Sequence, residues 1–261
     1  MLNLVFCYHA LSERWHAPLS VRPERFAGQV ETMLARGYRP VTFSELTRAP
    51  HDAGLFAITF DDAFRSVHKL AVPVLRRLSV PATVFVPTGP VEAGRPLAWE
   101  GTSEWLETPW ASELTPMSWV QLRELAAAGW EIGSHTVSHP HLPRLGDEEL
   151  AAQLSESKTL CEERLERPCT SLAYPYGDVA PRVIAAARAA GYATAAGLPG
   201  DFGRHDPLLW PRIGVYHRDD ERRFRLKISA TMHRLRSNRR VWELAVGRGR
   251  QLAPALPARR R

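Results

Sequence analysis

The chain has 261 residues, of which 44% are hydrophobic and 24% charged, and its formal net charge is +6. That is enough chain for one buried core plus an extension, while the absence of any run of ~18–20 apolar residues excludes an obvious membrane span. The charge is uneven: residues 222–261 hold 13 Lys/Arg against one acid, Glu243, whereas residues 1–221 hold 21 against 27. The basic character therefore belongs to the tail, and nucleic-acid binding is not expected of the body.

The N-terminal MLNLVFCYHALSERW lacks the basic start and long apolar stretch of a signal peptide. The three cysteines, Cys7, Cys161 and Cys169, have no CxxC spacing and are expected to be free thiols in a reducing compartment. Both features predict a cytoplasmic protein.

The first expected strand, Leu2–Tyr8, leads into His9. A His at a strand end can protonate a leaving amine, although a purely structural His would look the same. A helix is expected over Pro23–Arg36, ended by Gly37. The strand Leu55–Phe60 then ends in Asp61-Asp62. Successive strand side chains face opposite ways, so both carboxylates can serve one site only if the strand stops there. One can ligate a metal while its neighbour takes a proton from water. A solvated turn, or a cap on the next helix, would show the same pair.

Helix Val67–Leu78 and strand Ala82–Val86 are expected next. Residues 88–116 read as a long irregular segment whose Trp99, Trp105 and Trp110 argue against disorder. These rings could face sugars or cap the core. Ser118 and Gln121 form a capping-box pattern for a helix that ends at Gly129.

After the strand-like Trp130–Gly133 comes Ser134-His135-Thr136-Val137-Ser138-His139-Pro140-His141. Two His four positions apart can meet one metal if the backbone turns, and Pro140 keeps His139 out of a helix, so a loop or single turn is expected. Two neutral imidazoles with one carboxylate make a catalytic zinc set. A His-rich surface loop is the competing reading. His141, two residues on, is expected to point elsewhere. Helix Asp147–Leu165 and strand Ser171–Tyr174 lead to Tyr174-Pro175-Tyr176-Gly177-Asp178, a turn able to aim a backbone N–H at an oxyanion. Helix Ala180–Ala190, ended by Gly191, and strand Ile213–Tyr216 complete the alternation. Recurrent helix–Gly–strand units predict an α/β fold with a parallel sheet, and chemistry gathered at strand ends favours a barrel over an open sheet.

Thr59-Phe60-Asp61-Asp62, then Ser134-His135-Thr136-Val137-Ser138-His139-Pro140, then Ala173-Tyr174-Pro175-Tyr176-Gly177 resemble, in order and spacing, the polysaccharide deacetylase family with the NodB-homology domain. The resemblance covers roughly residues 1–217. It implies a distorted (β/α) barrel and a divalent metal, often Zn2+. By position, Asp61 resembles the general base, Asp62 the metal-ligating Asp, and His135 and His139 the metal-ligating His. Tyr176 resembles the residue whose backbone N–H helps form the oxyanion hole. No Leu-x-His motif follows, and Tyr8-His9 is similar to the N-terminal Tyr-His of a circularly permuted branch that includes poly-N-acetylglucosamine deacetylases. His9 is then the acid. Many members carry an Arg where this chain has Ala173. Arg212, in Trp210-Pro211-Arg212-Ile213, is the expected replacement.

The resemblance thus implies a hydrolase that removes N-acetyl groups from amino sugars of a polysaccharide or lipid-linked glycan precursor, releasing acetate. The alternatives are a same-fold amidohydrolase for a small non-glycan nitrogen compound and a non-catalytic glycan-binding barrel. Residues 1–221 are expected to form the barrel domain and 222–261 a basic C-terminal extension, partly helical and partly disordered. Phe224, Ile228, Met232 and Leu235 recur there at helical spacing among arginines. Such a helix suits an anionic membrane surface, which would place the protein peripherally at the inner face of the membrane. A helix packed on the barrel is the other reading.

Overall fold

The computed structural model describes residues 1–198 and 206–237. Eleven strands occur among them: β1 Leu4–Tyr8, β2 Ala10–Leu11, β3 Ser20–Val21, β4 Arg39–Pro40, β5 Leu55–Phe60, β6 Thr83–Val86, β7 Glu131–Ser134, β8 Ser171–Ala173, β9 Thr194–Gly197, β10 Trp210–Pro211 and β11 Ile213–Gly214. The main sheet runs β10-β9-β8-β7-β6-β5-β1-β11, with β4 also paired to β5, and its pairings are parallel. β10 and β11 lie at opposite ends of that order, yet Arg212 alone separates them in sequence. One residue therefore carries the chain across the seam, and the sheet curls into a nearly closed barrel ringed by helices.

Every residue of β1 and β5 is buried, as expected for strands covered on both faces. Their alternation sorts two cores. Leu4, Phe6, Tyr8, Phe56, Ile58 and Phe60 pack outward with helix residues such as Phe26, Val30 and Met33. Val5, Ala57, Phe85, Ala173, Ala196 and Trp210 pack inward, with Phe43 and Leu46 among them. Cys7 pairs in register with Thr59, so Cys7, Thr59 and Asp61 continue the inward set towards the strand C-termini.

The repeated Gly phrase marks three helix ends. Gly37, Gly129 and Gly191 take φ of +80°, +88° and +81°, a region that only glycine enters freely, and β4, β7 and β9 follow. The capping box at Ser118 is present, with Gln121 N–H donating to Ser118 Oγ and Ser118 N–H to Gln121 Oε1.

Three expectations need correction. The stretch Val67–Leu78 begins as a π-helical turn, Val67–Ala71, and becomes α-helical only over Val72–Leu78. Pro73 has no N–H to continue the ladder and its ring crowds the preceding turn. The segment 88–116 is not wholly irregular: it contains helix Thr88–Ala93 and 3-10 turns at Ser103–Trp105 and Ala111–Leu114. The tail's apolar spacing does not make one helix. Helices Glu221–Lys227 and Ala230–Arg236 are separated at Ile228-Ser229, where Ser229 accepts from the Met232 amide and starts the second helix. Phe224 and Ile228 are buried, with Phe224 5.4 Å from the Phe6 ring, so the first of these helices packs on the barrel. Residues 238–261, the rest of the expected extension, lie outside the described residues. No described helix is long and apolar enough to cross a membrane.

Candidate active site

Asp61 continues the ladder of β5, its N–H donating to Tyr8 O at 2.9 Å. The strand then breaks. Asp62 and Ala63 take φ of +68° and +53°, a left-handed pair that L residues enter only under constraint. The turn rolls Asp62 away from the alternation, so two adjacent carboxylates can face one pocket. Ala63 O accepts from Met117 N–H at 2.7 Å, which ties down the reversal.

Arg212 lies wholly buried inside the barrel. Its Nη1 and Nη2 donate to the two Asp61 oxygens at 2.7 Å each, and Nη1 also donates to Thr59 Oγ1 at 2.9 Å. Cys7 Sγ approaches Asp61 Oδ2 at 3.4 Å. Burial alone would raise the Asp61 pKa, but the guanidinium outweighs it and holds the carboxyl well below the usual carboxylate range. Asp61 is therefore an oriented carboxylate, ionised at neutral pH before any proton reaches it.

The His-bearing loop follows β7. His135 N–H donates to Val86 O, and its Nδ1–H to Ala173 O at 2.8 Å, which leaves Nε2 as the coordinating nitrogen in the neutral ring. Thr136 and His139 take φ of +67° and +60°, the tight loop that Pro140 required. Thr136 Oγ1 accepts from His139 N–H, and Gln153 Oε1 from the amides of Val137 and Ser138. Gly89 N–H donates to Val137 O at 2.8 Å, and a Cβ on Gly89 would stand 2.8 Å from that oxygen. The loop can pass this close to helix Thr88–Ala93 only because residue 89 has no side chain.

Asp62, His135 and His139 converge. Asp62 Oδ1 lies 3.4 Å from Nε2 of His135 and 3.4 Å from Nε2 of His139. All three are buried, and Asp62 Oδ1 has no hydrogen-bond partner. Burial pushes His139 down to about 3, whereas for His135 the adjacent Asp62 and Asp61 carboxylates override burial and raise the value. A divalent cation fits the donor set: one orphaned carboxylate oxygen and two imidazoles, at least one held in the right tautomer.

Cys7, His9 and Asp61 also place ligand atoms within 4.8 Å of one another. Both Asp61 oxygens are already taken by Arg212, and a second cation there would face a buried guanidinium. The trio around Asp62 is the better metal site.

His9 is buried at the end of β1, with Nδ1 unpartnered and its ring stacked 6.3 Å from Tyr216. Burial lowers its pKa, partly offset by Asp62 and Asp61. Tyr176, at φ +59°, sits in a turn whose bonds run from Gly177 N–H to Tyr174 O and from Asp178 N–H to Pro175 O, neither using the Tyr176 amide. Its ring stands edge-on to His139 and stacks at 4.0 Å on His141. His141 itself contacts Asp178 and Glu100, outside the metal trio.

These groups line a pocket of about 280 Å³, walled by His9, Asp61, Asp62, His135, His139 and Tyr176 with Pro18, Leu19, Trp99, Glu100, Glu104 and Tyr216 among its rim residues. Trp99 stacks on His139 at 4.3 Å, so one of the three tryptophans belongs to the site, while Trp105 packs edge-on to the buried Trp15. Gln153, Gly89 and Tyr216 carry no local motif, and their roles exist only in the folded chain.

A parallel β/α barrel with a carboxylate–imidazole trio and a second, arginine-bound carboxylate at its strand C-termini defines a class of hydrolase-like barrels. The profile of the family "Polysaccharide deacetylase" matches residues 48–195. The Bacillus subtilis (strain 168) protein "Putative polysaccharide deacetylase YxkH" is 24% identical over 194 residues, and the match spans 72% of this chain but 61% of that protein. Among solved structures, the Streptococcus pyogenes deacetylase PplD in complex with acetate superposes with a TM-score of 0.74 at 21% identity, over 88% of this chain and 99% of that one. IcaB from Ammonifex degensii gives 0.70 at 26% identity, over 91% and 97%. The chain belongs to the polysaccharide deacetylase family.

Proposed function

We propose that the protein is a metal-dependent deacetylase that removes N-acetyl groups from amino sugars of a glycan, releasing acetate. The carrying observation is the convergence of Asp62, His135 and His139 beside an Asp61 held by Arg212. Zn2+ suits two imidazoles and a carboxylate, and when bound by these three residues it would supply Lewis-acid polarisation of water and of the acetamide carbonyl.

The chain's own residues do the rest. Asp61 accepts a proton from the attacking water, and Arg212 fixes both of its oxygens so that this carboxylate does not rotate away. The Tyr176 N–H donates to the oxygen that becomes negative. His9, across the pocket, donates the proton that the departing amine requires. Trp99, Tyr176 and Leu198 give the pocket apolar surface for a sugar ring. Placement of the acid His on β1 fits the permuted branch of the family. A cytoplasmic location accords with three free, buried cysteines. Contact of the basic tail with the inner membrane face, and with a lipid-linked precursor, is part of the same reading and draws on the charge of residues 222–261.

The test is acetate release from a panel of acetylated amino sugars and oligosaccharides, with chelation and metal add-back. Release that stops on chelation and returns with Zn2+ supports the reading. No release from any acetylated sugar, with the metal site loaded, overturns it.

A further inference from the structure

A second groove, of about 460 Å³, is lined by His16, Pro18, Tyr216, His217, Arg218, Asp219 and Arg223. It shares Pro18 and Tyr216 with the catalytic pocket, so the two cavities meet at a common wall. We propose that this annex binds a phosphate group carried by the acetylated sugar substrate, on the far side of Tyr216 from the reacting acetamide. The inference rests on the deacetylase reading and adds to it the substrate's chemical class.

Charge bookkeeping within the groove supports an anion. Asp219, its one acid, is already spent: its Oδ2 accepts from the Tyr216 N–H at 2.8 Å and is paired with Lys227 Nζ. Arg218 and Arg223 are exposed at the groove. Arg223 Nη1 donates to the Arg218 main-chain O at 3.2 Å, which fixes the Arg223 guanidinium at the groove wall. His217 is fixed as well, with its ring Nδ1 3.2 Å from Ser20 O and its carbonyl accepting from Arg25 at 3.0 Å. His16 packs edge-on to it at 5.2 Å. Two guanidiniums present several donors, and the groove's lining has no uncommitted carboxylate. That array suits the several oxygens of a phosphate.

The catalytic pocket itself carries acids in its lining beyond Asp61 and Asp62. Glu100 and Glu104 line it, and His141 brings Asp178 and Glu100 together behind Tyr176. A substrate anion is disfavoured beside those carboxylates and favoured at the annex. Lys227, whose Nζ sits 5.4 Å from the Tyr216 ring centroid and donates to Gly214 O, braces the dividing wall.

The experiment compares deacetylation of N-acetylglucosamine, N-acetylglucosamine 1-phosphate and the same sugar on a polyprenyl phosphate in vesicles, by the full chain loaded with Zn2+. The expected result is a kcat/KM at least tenfold higher for a phosphorylated form than for the neutral sugar. Arg218→Gln with Arg223→Gln should collapse that ratio towards one, mainly through KM. Arg222→Gln with Arg225→Gln, which removes an equal charge from exposed neighbours outside the groove, should not. Preference for the soluble phosphate over the vesicle form assigns the group to a sugar phosphate; the reverse assigns it to a lipid carrier. A second readout needs no turnover: inorganic phosphate binding to the chelated protein, measured by calorimetry, should weaken at least tenfold in the double variant. Equal kcat/KM for neutral and phosphorylated sugars, or phosphate binding indifferent to the double variant, overturns the annex while leaving the deacetylase reading intact. No release from any of the three sugars or from acetylated oligosaccharides overturns the deacetylase reading instead, and phosphate binding by calorimetry still decides the annex.

Discussion

Arg212 and Asp61 stand 151 residues apart in sequence and meet as a bidentate ion pair inside the barrel, with Arg212 itself the single residue that joins the two terminal strands of the sheet. The seam of the fold and the orientation of the candidate base are thus one feature. A buried pair of this kind is a weak source of net stability, but removal of one partner strands a charge in the interior.

Arg212→Ala should therefore cost about 3–5 kcal/mol of stability, seen as a lower midpoint in denaturant, and should nearly abolish activity. Arg212→Lys keeps the charge, loses the two-pronged geometry, and should retain more stability than activity. The pair also has a pH signature. Because the folded Asp61 pKa lies below its ordinary 3.8, the stabilisation is fully present above that value and is lost as pH falls through the depressed folded value. Wild-type protein should resist acid into that range. The Arg212→Ala variant should lose that resistance, since burial then pushes Asp61 upward. An unchanged acid-unfolding midpoint in the variant would contradict the assignment.

Metal should act as a folding ligand. Zn2+ at a hundredfold its dissociation constant should stabilise the protein by about 2.7 kcal/mol, read as a rise in Tm. Asp62→Asn and His139→Ala should remove most of that rise. Asp61→Asn should keep it while lowering kcat by about 10²–10⁴-fold, because Asp61 is engaged by Arg212 and not by the trio. A Tm response lost in Asp61→Asn and kept in Asp62→Asn would reverse the two roles.

Gln153 reaches out of helix Asp147–Leu165 to accept from two amides of the His loop. Gln153→Met preserves the helix and its bulk but leaves both donors unpaired. Zn2+ affinity should fall about tenfold with little change in helical content by circular dichroism. Unaltered affinity would show that Thr136 and Gly89 hold the loop without it.

Much of the site was legible in the sequence because its ligands are paired locally. Asp61-Asp62 and His135-x-x-x-His139 are short patterns at strand ends, and a parallel barrel brings strand ends together whatever the loops do. Gly37, Gly129 and Gly191 fixed the helix-to-strand breaks for an equally local reason: each needs positive φ. What could not be read is what depends on barrel closure and loop packing. Trp99 stacks on His139 and Trp105 does not, yet nothing in their local sequence separates them. The tail's apolar repeat suggested one helix because spacing alone cannot register that Phe224 is already used against Phe6, nor that Ser229 starts a new turn. The helix Phe43–Arg48 is not legible from periodicity although Thr42 and Glu45 cap it, since six residues carry too little of a repeat to stand out.

The role of His9 can be separated from that of Asp61 by choice of leaving group. An amide nitrogen leaves only if it is protonated, whereas a nitrophenolate leaves unaided. His9 is placed to supply that proton: it is buried, its Nδ1 has no protein partner, and Tyr216 stacks against it. His9→Gln should lower kcat on acetylated amino sugars by about 10²–10³-fold but spare hydrolysis of 4-nitrophenyl acetate to within a few-fold. Asp61→Asn acts before the leaving group departs, at the activation of water, and should depress both reactions together. The decisive comparison is the ratio of the two rates in each variant. If His9→Gln lost amide and nitrophenyl ester activity in equal measure, His9 would be serving water activation or pocket structure, and the proton for the amine would have to come from another group on the pocket wall.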